Sequence, residues 1–239
     1  MPAIFPEKAH SIARGKYIGD FVYGANDGII TTFAVVSGAA GAFISPDVVI
    51  ILGMANLIAD GISMGVSNYL STRSRLDFQK KQRIIEENEV ETMPEKEREE
   101  VRIILRDWGI EENKIEGVVE SITKDKEKWV NLMMRDELGI IEDKAESPLK
   151  HASVTSASFV VAGSLPLAPY FLGIATENQF IVSIIATAVS LFVVGSMRVY
   201  VTKTNWLKSG LQMLFVGSIA ASAAYFVGAA VKALFDINI

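Results

Sequence analysis

The sequence predicts an all-α membrane protein: five transmembrane helices, with a soluble helical domain inserted between the second and the third. Three observations carry that expectation. Charge is segregated, because residues 74–150 hold 15 Lys/Arg and 21 Asp/Glu while the other 162 residues hold 8 and 7. Five apolar segments, roughly 19–44, 48–70, 152–172, 180–201 and 211–234, approach the ~20 helical residues that cross a hydrocarbon core. Too little amphipathic sequence remains to cover five such segments inside a water-soluble fold. The expected divisions are therefore 1–73, with the first two membrane helices, 74–150, the acidic domain, and 151–239, with the last three.

The first apolar segment reads as a retained helix rather than a cleaved leader, since it is long, carries Asp20, Asn26 and Asp27, and lacks a small-residue cleavage pattern. Orientation follows from the basic residues. Lys8, Arg14 and Lys16 precede the first helix, Arg73, Arg75, Lys80, Lys81 and Arg83 follow the second, and Arg198, Lys203 and Lys208 surround the turn between the fourth and fifth. The opposite loops carry only Asp47 and Glu177 as charges. The excess of Lys and Arg places the amino terminus, the acidic domain and the last turn in the cytoplasm. Gly24 with Gly28, and Gly61 with Gly65, are GxxxG pairs that let backbones approach, suited to packing helices one and two against each other or against a second copy.

The acidic domain reads as helices with clear punctuation. The second membrane helix runs on to about Glu91; Thr92, Pro94 and Glu95 then resemble a helix start with capping-box spacing. Gly109 ends the next helix, another covers about Glu111 to Ile122, and Asp125 caps a last one that stops at Gly139.

Intramembrane polar residues are costly and stand as functional candidates by default. Asp20 and Asp27 are two turns apart on one face of the first helix. The other reading of Asp27 is a cap at a helix break within Gly24–Gly28. On the second helix Asn56, Asp60, Met64 and Asn68 recur every four residues as one polar and thioether stripe. Carboxylate and amide oxygens suit divalent ions, and a Met sulfur favours the softer transition metals. In the acidic domain Glu86 and Glu89, Glu97 and Glu100, and Met133, Met134 and Glu137 share helix faces at spacings of three or four. Antiparallel helices would gather these carboxylates, and their repulsion would call for bound cations. With 21 acids in the block, such spacings also arise on solvated faces.

Other chemistries find little support. The chain has no cysteine, so it has no disulfide, thiolate nucleophile or sulfur-based zinc site. His10 and His151 lie outside the apolar helices and read as solvated or interfacial residues. No phosphate-binding glycine loop or nucleophile triad stands out, so no enzyme and no prosthetic group are expected. A net charge of −6 on the acidic domain speaks against nucleic acid.

The run Asp20-Phe-Val-Tyr-Gly-Ala-Asn-Asp27-Gly-Ile-Ile-Thr-Thr-Phe, then Gly61-Ile-Ser-Met-Gly65, the Glu-rich insert, and Leu132-Met-Met-Arg-Asp-Glu-Leu-Gly139 together resemble the vacuolar iron transporter family over nearly the whole chain. The resemblance implies a homodimer of five-helix subunits that exports cytosolic Fe2+, and often Mn2+, in exchange for protons. It also implies a metal-gathering cytosolic domain, matching Glu86, Glu89, Glu97, Glu100, Met133, Met134 and Glu137. Asp27 and Met64 match translocation residues, with Asp60, Asn56 and Asp20 beside them. One departure concerns the second helix, where Asn56 stands in place of a family glutamate and Asp60 supplies a carboxylate one turn on.

The expected function is proton-coupled export of a divalent metal, with Fe2+, Mn2+ or Zn2+ bound as substrate. No organelle signal is visible, which points to a prokaryotic cell membrane, with a eukaryotic vacuole as the other location. Rival readings are a membrane-anchored di-metal ferroxidase and a metal sensor or buffer using the same glutamates. Di-iron carboxylate sites usually include Glu-x-x-His pairs, and the acidic domain holds no histidine.

Overall fold

The computed structural model describes residues 15–143, 145–199 and 204–235, and every regular element in it is helical. In chain order these are α1 (Ile18–Gly41), α2 (Pro46–Thr92), α3 (Pro94–Asp107), α4 (Glu112–Thr123), α5 (Lys126–Leu132) with a π-helical turn (Met133–Glu137), α6 (Pro148–Gly163), the short α7 (Ala168–Phe171), α8 (Thr176–Met197) and α9 (Trp206–Phe235). The chain divides into two compact units, Met1–Tyr69 with Pro148–Ile239, and Leu70–Ser147. The 47-residue α2 contributes to both.

In the first unit α1 is surrounded by neighbours, and small residues decide how close they come. Gly24 and Gly28 lie against the α6 backbone at Thr155 and Phe159, with no room for a Cβ. On α2, a Cβ at Gly61 would stand 2.7 Å from Val160 Cγ2, and one at Gly65 would stand 3.0 Å from Ser156 Cβ. Both GxxxG pairs therefore face α6, which corrects the expectation that they join helices one and two directly. The reason lies in α6 itself: Ala152, Ser153, Thr155, Ser156, Ala157 and Ser158 keep its surface low enough to receive a helix on either side. Further along α1, Gly38 meets the backbone at Gly228 of α9. Apolar contacts among Ala25, Ile29, Ala162, Leu191 and Val194, and among Phe33, Val36, Ala39, Val49 and Leu167, complete the packing.

Among the described residues three helices are long and apolar enough to cross a membrane: α2, α8 from Glu177, and α9. Although α1 has 24 residues, Asp20, Asn26 and Asp27 dilute its hydropathy. The expected third span is not one helix. Its 16-residue α6 stops at Gly163, and the chain turns through Ser164–Leu167 before α7. Pro166 has no N–H to continue the helix, and its carbonyl accepts a bond from Ser183 Oγ at 2.6 Å. Apolar composition alone does not register such a break.

The second unit folds α3, α4, α5 and the π turn around Val90, Val101, Leu105, Ile115, Val119, Trp129 and Val130, all buried. Pro94 opens α3, but Thr92 does not cap it. Its hydroxyl donates back to Asn88 O within α2 at 2.8 Å, because Thr92 is still the last residue of that helix. Asp125 does cap α5, accepting from the amides of Glu127 and Lys128 at 3.1 and 3.2 Å. Gly109 and Gly139 end their segments at φ +76° and +66°, a region that side chains disfavour.

Candidate metal site

Three of the expected carboxylates converge in the second unit. Glu86 from α2, Glu97 from the first turn of α3 and Glu137 from the π turn each present an oxygen within 4.8 Å of the other two. Glu97 is 1% exposed and Glu86 3% exposed, and both oxygens of Glu97 and Oε2 of Glu86 lack a hydrogen-bond partner. Glu89 and Glu100 stay outside the trio yet act on it through their charge.

The π turn makes this geometry possible. Leu138 N bonds Met133 O at 3.1 Å, five residues back, so the turn carries an extra residue that ordinary helical spacing does not anticipate. Met133 and Met134 are 0% and 2% exposed and belong to the apolar core. Met134 also lines a cavity of about 260 Å³ with Asn131, Arg135, Ile140, Ile141 and Glu142. Arg83 bonds both Asn131 (2.8 Å) and Glu142 (2.9 Å), tying the segments that flank the π turn to α2.

Burial and mutual repulsion shape the titration of this cluster. Desolvation, then the charges of Glu137, Glu97, Glu89 and Glu100, pushes the Glu86 carboxyl up to about 7. Desolvation and Glu100 push Glu97 up to about 7 as well, against the opposing pull of Lys96. Glu137 is raised by burial and then by Glu100. Near neutral pH the cluster therefore holds protons that a divalent ion can displace.

In the first unit the polar faces of α1 and α2 are linked. Asn68 donates to Asp20 Oδ1 at 2.7 Å and to Thr155 Oγ1 of α6 at 2.6 Å. Asp60 and Asp27 act on one another electrostatically, and Asn56, Asp60, Met64 and Asn68 are all half-buried. Since α1 runs unbroken through Gly24–Gly28, Asp27 caps nothing.

His151, expected to be solvated or interfacial, is not solvated. It is 7% exposed, its Nδ1 stands 2.5 Å from Asp20 Oδ2, and its ring packs at 4.7 Å from Tyr17. Sequence reasoning passed over it because Asp20 is 131 positions away. Its place in the first turn of a helix of small residues, after Pro148, was the available signal. His10 lies outside the described residues.

The profile of the VIT family matches residues 18–229, which includes both units' helices. This chain belongs to the VIT family. Members similar to it include a vacuolar iron transporter from Centaurea cyanus, 32% identical over 218 residues, 91% of this chain and 89% of that protein. Vacuolar iron transporter 1 from Arabidopsis thaliana is also 32% identical, over 91% of this chain and 87% of its own length. A vacuolar iron transporter from Plasmodium berghei (strain Anka) is 35% identical over 233 residues, covering 93% and 85% of the two chains. Membership in the VIT family thus extends across the acidic unit, and the converging glutamates lie inside the matched region.

Proposed function

We propose that this chain exports divalent iron, and Mn2+ with it, from the cytosol in exchange for protons. The observation that supports this most directly is the set of buried, unpartnered carboxylate oxygens of Glu86 and Glu97 beside Glu137. Such oxygens cost free energy unless protonated or metal-bound, and the three carboxylates together make a hard-to-borderline donor set. Glu89, Glu100 and the sulfurs of Met133 and Met134 extend that set when a metal loads.

In this reading five segments span the membrane, with α1 and α6 shielded from lipid by neighbouring helices, and the acidic domain and amino terminus face the cytoplasm. The domain gathers metal and raises its local concentration. Asp27, Asp60 and Met64, with Asn56 alongside, then replace part of the ion's hydration shell. Protons arriving from the other side compete for the same carboxylates and release the metal. Two subunits form the working unit, and the cell membrane of a prokaryote is its place. The relatives are named vacuolar iron transporters, and the matched length supports carrying iron transport over to this chain.

Purified protein in liposomes tests the whole reading. Fe2+ or Mn2+ should cross the membrane when an opposing pH gradient is imposed, with counter-movement of protons read by an internal pH dye. Metal oxidation without movement identifies a ferroxidase, and binding without movement identifies a sensor; either result replaces the transporter reading.

A further inference from the structure

One cation sits among these acids. Lys96 sits in the first turn of α3 beside Glu97, and its Nζ lies 3.0 Å from Glu100 Oε1 and 3.7 Å from Glu97 Oε1. Its charge also reaches Glu89 and Glu137. Glu97 itself is 1% exposed and has no hydrogen bond to either oxygen, so the ammonium stands at the open edge of a buried, unsatisfied carboxylate. The Lys96 side chain is 58% exposed, which leaves its four-carbon stem free to swing into solvent.

Several other cations of the second unit are engaged elsewhere. Arg83 is taken up by Glu87, Asn131 and Glu142, Arg102 by Glu99 and Glu116, and Arg106 by Glu99 and Glu112. Arg98 pairs with Glu95 and lies over the Trp129 ring.

We infer that Lys96 is a tethered competitor of the metal: its ammonium occupies the Glu97–Glu100 edge of the cluster and must leave when a divalent ion binds there. The inference rests on the capture reading above and adds a regulatory consequence to it. An ammonium bonded to Glu100 draws on the same carboxylate charge as a divalent ion bound there, and the two positive charges repel. Loading is therefore an exchange of one cation for another, and the tether sets the free-metal concentration at which the cluster fills.

The opposite role is a lysine that organises Glu97 and Glu100 for the metal, and it gives the opposite sign. The full-length protein in detergent is titrated with Mn2+ at low ionic strength, comparing wild type, Lys96→Ala, Lys96→Arg, Lys124→Ala and Glu97→Gln. Lys124 pairs with Glu120 at 3.0 Å, away from the cluster, and reports on net charge alone. Lys96→Ala should tighten Mn2+ binding roughly three- to tenfold, the scale of an exposed ion pair enlarged by the double charge of the ion. Lys96→Arg and Lys124→Ala should stay within about twofold of wild type, and the Lys96→Ala gain should shrink in high salt. Unchanged or weaker binding by Lys96→Ala overturns the inference while leaving the capture reading intact. So does an equal gain from Lys124→Ala, which would make the effect one of bulk charge. If wild type binds no Mn2+ and Glu97→Gln changes nothing, the capture reading fails and this inference falls with it.

Discussion

At the scale of single residues, the carboxyls of Glu86 and Glu97 tie the stability of the acidic unit to pH, and in the proposed reading the metal competes for the same sites. Each is pushed up to about 7 in the fold, from an ordinary value near 4.5. Between those values the folded state binds more protons than the unfolded state, so stability is full at low pH and declines as pH rises through 7. The metal-free protein should accordingly lose thermal stability of the acidic unit between about pH 5 and pH 8, followed by differential scanning. Glu97→Gln should flatten that slope and raise the melting temperature at pH 8 by roughly 4–8 °C, the shift that about 1 kcal/mol gives in a small domain. Metal binding should follow the reverse course and weaken below about pH 7, where protons win the carboxylates. A stability that rises with pH over this window would show that the cluster is ionised and solvated. His151 makes a second case. Replacing it by Leu removes that bond while Asn68 still donates to Asp20 in the α1–α2–α6 network. A loss of about 1.5–3 kcal/mol in chemical unfolding is expected from losing a hydrogen bond to a charged group; a loss near zero would show that His151 contributes nothing to holding the network together.

At the scale of elements, long periodic features were legible and local interruptions were not. The 47-residue α2, the Pro94 start, the Asp125 cap and the Gly109 and Gly139 stops follow from propensity and capping chemistry that act within a few residues. The turn after α6 escaped because Leu165 and Leu167 keep the segment apolar, and hydropathy averages over the proline that breaks it. The π turn escaped because nothing in Met133-Met-Arg-Asp-Glu137 announces an extra residue per turn. Partner choice among the glycine faces was equally invisible, since GxxxG says that something comes close and not what. The structure supplies that partner, and with it a test. Gly28→Ala puts a methyl against the backbone carbonyl of Phe159, which no side-chain movement relieves, whereas Gly19→Ala meets nothing within 4 Å. Gly28→Ala should cost several kcal/mol, about the 1–3 kcal/mol of an overpacked core or more, and Gly19→Ala should be neutral or slightly stabilising through helix propensity. Equal melting curves for the two variants in detergent would mean that α1 and α6 are not in backbone contact.

At the scale of the whole molecule, the proposed transport assigns the two units different work: one holds a cluster rich in carboxylates, and in the other Asp27, Asp60, Met64 and Asn56 would form a sparse polar path. Gathering and passage are then separable steps with different dependence on metal concentration. A gathering cluster matters when free metal is scarce, because it multiplies the local concentration; once metal is abundant the path loads unaided. Converting Glu86, Glu89, Glu97, Glu100 and Glu137 together to Gln should therefore raise the metal concentration for half-maximal transport by about tenfold or more, while sparing most of the maximal rate. Asp27→Asn should behave otherwise, removing at least about nine-tenths of transport at every metal concentration, because it deletes the charged ligand well inside α1, yet leaving Mn2+ binding by the acidic cluster intact. Liposome flux measured over a wide range of Mn2+ separates the two variants in one experiment. If both lower the maximal rate alike, the cluster lies on the obligatory route and is no mere collector; if the five-glutamate variant matches wild type even at the lowest metal, the carboxylates serve the fold of the acidic unit and the division of labour is wrong.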